Sequence, residues 1–143
     1  MQFKWTILAA LIMISGAFAQ SSTTVSVSFD TIYDESSESL DVVACSHDIE
    51  QLGFTTFGTI PNFPFIGGAG VVTGFDSSGC VTCWELTFEG TPTTVLVIDG
   101  AGSGTFNIGL TAMNNLTNGQ AEFFGRVTAT AMQVDATACT LDT

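Results

Sequence analysis

Four cysteines, Cys45, Cys80, Cys83 and Cys139, do more than any other feature to limit what this 143-residue chain can fold into. All four lie beyond an N-terminal stretch with the marks of an export leader. Lys4 supplies a positive start, Thr6 to Ile14 is almost wholly apolar, and Ala17-Phe18-Ala19 sets small residues where a signal peptidase inspects the chain. We place the cut after Ala19, so that residues 1–19 are the leader and residues 20–143 the mature chain. The apolar run falls short of the about 20 residues that a membrane-spanning helix needs. An even cysteine count in an oxidising compartment argues for disulfides. Cys80-Val81-Thr82-Cys83 has the spacing of a zinc knuckle or a redox pair. The single histidine leaves a zinc site short of ligands, however, and Cys83 leads into an alternating strand where a redox pair would open a helix. Two structural bridges are expected, and spacing does not choose among the three possible connectivities.

Without the leader, one base, Arg126, faces all fourteen acids, a net charge of −13. A chain with one cation cannot neutralise a row of phosphates, which excludes nucleic acid as a partner, and anionic lipid is disfavoured for the same reason. Neutral or basic partners remain, and neutral polysaccharide suits the charge well. About 120 residues is a size for one domain around one core, expected here to be monomeric.

Period-two alternation dominates the mature chain. Thr24 to Asp30 alternates apolar with polar residues, as a half-buried strand does. Trp84, Leu86 and Phe88 fall on one face of a second strand, Glu85, Thr87 and Glu89 on the other, and Gly90-Thr91-Pro92 is expected to turn the chain. The continuous run Thr94 to Ile98 reads as a strand buried on both faces, as in a barrel wall. Arg126 to Val134 supplies the last strand. Between Leu52 and Gly70, Pro61 and Pro64 forbid a helix and point to extended pieces and tight turns, with a short strand expected from Val71 to Phe75. Leu110, Met113, Asn114 and Thr117 share one face of a short helix that Gly119 would end. These elements predict a closed or nearly closed β barrel with few short helices.

Few residues offer chemistry. His47 stands in a polar stretch with no nucleophile and no orienting group beside it, and is read as solvated. Gly100 to Gly104 lacks the spacing of a dinucleotide loop. Asp99 is different: it ends an apolar run and adjoins a glycine loop, so its carboxylate is placed at the lip of the barrel, facing ligand or its own loop backbone. Glycoside hydrolysis would need a second carboxylate across the sugar, and no other acid occupies a comparable strand end. Phe54, Phe57, Phe63, Phe65, Phe75 and Trp84 crowd one third of the chain, with Trp84 and Phe88 expected in the core. Asn115-Leu116-Thr117 is an N-glycosylation sequon.

Several stretches together carry a resemblance. Val25-Ser26-Val27-Ser28-Phe29-Asp30, Cys45-Ser46, the Gly53 to Gly68 block GFTTFGTIPNFPFIGG, Cys80-Val81-Thr82-Cys83-Trp84-Glu85-Leu86-Thr87, Val97-Ile98-Asp99 and Phe106-Asn107-Ile108 resemble the cerato-platanin family of secreted fungal proteins. The resemblance covers Thr24 to Leu141. It implies a mainly β fold, a six-stranded double-ψ β-barrel similar to expansin domains, with bridges Cys45–Cys80 and Cys83–Cys139. It also implies a non-catalytic protein, without cofactor or metal, that binds chitin oligomers and related β-glycans in a shallow groove. Such a protein loosens wall polysaccharide and is perceived by plants as an elicitor. The groove residues would be Asp99 and Asn107. Two positions depart from the family pattern: the loop between these residues is one residue longer, and Gly109 stands where many members carry Ser. The alternatives are an endo-acting glycosidase on a related barrel, or a surface-active or signalling protein whose groove is incidental.

Overall fold

The computed structural model describes residues 21–142; the expected leader and its cut after Ala19 lie outside the described residues. Six strands, β1 (Thr23–Phe29), β2 (Ile66–Ala69), β3 (Thr82–Phe88), β4 (Thr91–Gly100), β5 (Thr105–Ile108) and β6 (Arg126–Val134), close in the order β1-β5-β2-β4-β3-β6. The pairs β1·β5 and β2·β4 are parallel and the other four antiparallel. This is the double-ψ barrel, and closure leaves no sheet edge unpaired.

Alternation decides which side chains fill the barrel. Val25 and Val27 of β1 pair with Ala129 and Val127 of β6, Leu86 pairs with Ala131, and all are buried. Val95 to Ile98 is buried throughout, as a run of apolar residues without alternation predicts for a wall covered on both sides. The outer cover comes from the loops. The amide of Cys45 donates to the Ile98 carbonyl (3.1 Å). Leu96 pairs with Cys83, whose sulfur is bonded to Cys139 on that outer side. The bridges join Cys45 to Cys80 and Cys83 to Cys139, across 35 and 56 residues. Cys80 and Cys83 therefore belong to different bridges and act as scaffold.

The structure departs from the sequence reading where backbone contact outweighs propensity. No strand runs from Val71 to Phe75; the strand here is β2, Ile-Gly-Gly-Ala, which starts five residues earlier at Ile66. Glycine is poor in strands, but β2 lies between β4 and β5 so closely that a Cβ on Gly67 would sit 2.4 Å from the Asn107 carbonyl oxygen. One on Gly68 would sit 2.4 Å from that of Gly100. The β3–β4 turn is Glu89-Gly90, with φ of 47° and 81°, a two-residue turn whose left-handed backbone matches strand twist. Thr91 and Pro92 already belong to β4.

Among the described residues three short α-helices flank the barrel: α1 (Ser46–Gln51), α2 (Leu110–Leu116) and α3 (Ala121–Phe124). His47 lies on α1 rather than in a loop, and is exposed. The chain after α2 turns at Gly119, φ 82°, but the buried face of this segment is Ala112, Met113, Leu116 and Thr117. Asn114 turns aside to accept from the Ala121 amide (3.1 Å) and so joins α2 to α3. Among the described residues no helix is long and apolar enough to cross a membrane.

Candidate functional site

Strand register aligns polar residues on one outer row. Ser28 pairs with Arg126 on one side and Asn107 on the other, Asn107 pairs with Gly68, and Gly68 pairs with Asp99. Paired residues share a face, and because Val27 and Phe106 point inward, this row points outward. Asp99 reaches it through a register shift: Gly67 pairs with Val97 and Gly68 with Asp99, so Ile98 is the extra residue of a bulge. Without the bulge, alternation would place Asp99 on the interior face with Val97. Asp99 and Asn107 stand two strand spacings apart, about 10 Å, and Arg126 extends the row to about 19 Å.

Asn107 is half-committed. Its Oδ1 accepts from Ser28 Oγ (3.0 Å), and its amide nitrogen has no hydrogen bond among the described residues. Asp99 is more heavily used. Its Oδ1 accepts from the backbone amides of Ala44 (3.0 Å) and Gly100 (2.8 Å), and its Oδ2 from the Tyr33 hydroxyl (3.0 Å). An ionised carboxylate offers about four acceptor positions, so about one is left for a ligand. The alternatives of ligand contact and loop bonding thus coexist in one side chain. Asp34, on the same 3-10 turn (Thr31–Asp34) as Tyr33, caps α2 by accepting from the amides of Leu110 and Thr111. A Cβ on Gly109 would stand 2.9 Å from the Pro64 carbonyl oxygen and 3.1 Å from this carboxylate, so glycine gives the cap room.

Tyr33, which the sequence reading passed over, is 4% exposed and stacks on Phe57 at 6.1 Å. Burial, and then the Asp99 charge, raise its hydroxyl well above the ordinary value of 10.0. It therefore stays a donor in the folded state. When the unfolded chain loses its tyrosine proton above pH about 10 and the folded chain keeps it, stability falls as pH rises. Tyr33 is the single tyrosine, so tyrosinate absorbance reports this site alone. We expect that absorbance to emerge together with the loss of near-ultraviolet circular dichroism, and not before it. A titration near the ordinary value in folded protein would contradict the buried Tyr33–Asp99 contact.

A cerato-platanin family model matches residues 25–141. The chain belongs to the cerato-platanin family. It is 41% identical over 123 residues to the allergen Asp f 15 of Aspergillus fumigatus, spanning 85% of this chain and 80% of that protein. Cerato-platanin 3 of M. perniciosa matches with 38% identity and a TM-score of 0.78, covering 83% of this chain and all of that one. The solution structure of the fungal elicitor cerato-platanin matches with 37% identity and a TM-score of 0.71, over 80% and 96% of the two chains. An expansin variant from Clavibacter michiganensis, solved in complex with cellohexaose, shares the fold at 15% identity and a TM-score of 0.56. The match covers 80% of this chain and 51% of that one.

Within this cerato-platanin barrel the remaining candidates separate clearly. Asn115 is exposed on α2 and donates to Thr93 Oγ1 (2.7 Å), while Thr117 of the sequon is buried and bonds the Met113 carbonyl (2.7 Å). The aromatic crowd divides: Phe57 is wholly buried, Phe54, Phe63 and Phe65 are half-buried, and Phe75 is 70% exposed. Trp84 and Phe88 share the inward face with Leu86, but each lies near an end of β3 and is half-buried, not core. Phe123, 82% exposed, was not singled out in the sequence. Nor were Ser28 and Arg126 picked out as site residues, because their membership depends on register, which only the closed sheet supplies.

Proposed function

We propose that residues 1–19 are a leader cut after Ala19, and that residues 20–143 form one secreted, cell-wall-associated, non-catalytic domain. On this reading it binds chitin or related β-glycan oligomers across Ser28, Asn107 and Asp99, loosens wall polysaccharide, and is perceived by plants. The observation that carries the reading is the outward row itself, in which a carboxylate and an amide stand about 10 Å apart on rigid strands. One acceptor position on Asp99 and the free Asn107 nitrogen match the hydroxyl and acetamido groups of such a chain. The expansin neighbour bound to cellohexaose supports the ligand class, and the elicitor among the neighbours supports perception by plants.

The same row argues against hydrolysis. Across from Asp99 stands Asn107, an amide that neither donates nor removes a proton as a general acid or base must. Asp34, on the adjoining 3-10 turn, is occupied in capping α2. The exposed Asn115 is our candidate for glycan attachment, despite its bond to Thr93.

Titration of N-acetylglucosamine tetramer while following backbone amide shifts tests the reading. We expect saturable shifts at Ser28, Gly68 and Asn107, and affinity reduced about fivefold in Asn107→Ala, the worth of one exposed hydrogen bond. An unperturbed row at saturating oligomer would sink the proposal; reducing ends released from chitin would replace it with the glycosidase.

A further inference from the structure

The chain has five asparagines, and only Asn118 is followed by glycine. The other four side chains are bonded: Asn62 to the Phe65 carbonyl (2.7 Å), Asn107 to Ser28 (3.0 Å), Asn114 to the Ala121 amide (3.1 Å) and Asn115 to Thr93 (2.7 Å). Asn118 is exposed, and its carboxamide has no hydrogen bond among the described residues. It follows α2 in a left-handed conformation, φ 53°, with Gly119 next at 82°. Asparagine tolerates that backbone better than most residues, which accounts for its presence in the turn. The carboxamide itself is left free to react.

The backbone nitrogen after an asparagine is the nucleophile for that reaction. Gly119 N attacks Asn118 Cγ, the Cγ–Nδ2 bond breaks, and ammonia leaves with the proton that the attacking nitrogen gives up. Water then opens the cyclic imide. Attack at Cγ restores the main chain and leaves aspartate; attack at the backbone carbonyl carbon leaves Gly119 joined through Cγ, as isoaspartate. Nothing is oxidised or reduced. A side chain on the following residue would crowd the attack, but Gly119 has none, and no atom lies within 4 Å of where its Cβ would stand. What restrains the nitrogen is its bond to the Asn114 carbonyl (2.8 Å). That bond lies in a run of three exposed residues, Asn118, Gly119 and Gln120, where local opening needs far less free energy than global unfolding. We propose that Asn118 is a self-modification site, at which the folded protein slowly turns asparagine into aspartate and isoaspartate with water as the only co-reactant. The site is independent of the glycan reading. Each product adds one negative charge, and isoaspartate also lengthens the main chain by one methylene at the joint of α2 and α3. The four-residue α3 is held there by the Asn114–Ala121 bond and by the Phe124 ring, which meets Phe88 edge to face at 5.6 Å. The isoaspartyl form should therefore hold α3 more loosely.

The test is incubation of the folded protein in mildly alkaline buffer, read by ion exchange and by peptide mapping with mass spectrometry. Labelling by an isoaspartyl methyltransferase tells the two products apart. We expect an acidic form to accumulate, with Asn118 converted ahead of the other four asparagines and isoaspartate as the larger product. Conversion should be slower than in a free peptide of residues 114–122, because the bond to Asn114 must first open. Asn118→Gln, whose imide ring would be larger, should lose the acidic form. Amide hydrogen exchange in the isoaspartyl protein should quicken at Gly119 and Ala121 and stay unchanged at Asn107. Asn118→Asp, which carries the charge without the methylene, should exchange like the parent at all three. Conversion spread evenly over the five asparagines, or seen only past the urea unfolding midpoint, overturns the proposal. So does an acidic form that persists in Asn118→Gln, or intact Asn118 over a period in which the free peptide converts fully. Parent-like exchange in the isoaspartyl protein overturns the loosening of α3.

Discussion

The double variant Cys83→Ala/Cys139→Ala should lose about 4 kcal/mol of unfolding free energy, as measured by urea denaturation. The bridge closes a 56-residue separation, and loop-closure entropy for a loop of that size gives about this figure. A small domain has about 5–15 kcal/mol in total, so the variant stands close to the folding threshold. The bridge acts on the unfolded chain, which without it expands and exposes more surface. The denaturant slope should therefore rise as the midpoint falls. A fall in midpoint with an unchanged slope would point to lost packing around the two buried sulfurs instead. Opening Cys45–Cys80 should cost a similar amount, because loop entropy grows only with the logarithm of length.

The two openings should differ at the site. Cys45 follows Ala44, whose amide bonds Asp99 and whose carbonyl accepts from the Asp76 amide (3.0 Å). Loosening Cys45 loosens the wall against which Asp99 and Tyr33 are held. In that variant the tyrosinate signal should appear before global unfolding, while the Cys83/Cys139 variant should keep the two events together.

How much of this was legible in the sequence follows from the range of the forces involved. Period-two patterning gave β1, β3 and β6, and the unbroken Val95-Leu96-Val97-Ile98 run gave the doubly covered wall, because side-chain burial writes itself along the strand. β2 was invisible for the opposite reason. Its glycines, Gly67 and Gly68, answer to the carbonyls of Asn107 and Gly100 on neighbouring strands, and contacts across 40 and 32 residues leave no local pattern. Asp99 stood out as an acid ending an apolar run, but its outward direction depends on a one-residue bulge at Ile98. The partners that define its role, Tyr33 and Ala44, are 66 and 55 residues away. Trp84 was placed in the core by alternation, which reports the face a residue points to and not how near it lies to the end of the barrel.

Asp99→Ala should destabilise the fold by about 3 kcal/mol, and so is a poor probe of ligand binding. It strands the hydroxyl of Tyr33 in a buried setting and two half-buried amides, with unmet buried donors costing about 1–3 kcal/mol each and the amides partly recovered by water. Asp99→Asn should be much milder, at about 1 kcal/mol. Its oxygen keeps both amide bonds, and its nitrogen donates to the tyrosine oxygen, reversing one contact without emptying it. Both variants remove the carboxylate charge that helps hold Tyr33 protonated. The tyrosine should then ionise more readily, yet still above its ordinary 10.0, because burial is the larger cause and remains. The carboxamide has no lone pair left for a sugar hydroxyl, so Asp99→Asn should weaken oligomer binding about fivefold in a protein that still folds. Unchanged oligomer affinity in Asp99→Asn, with the expected tyrosine shift, would make Asp99 a positioning residue that holds the Tyr33 loop against the barrel. The ligand contacts of the outer row would then pass to Asn107 and Ser28.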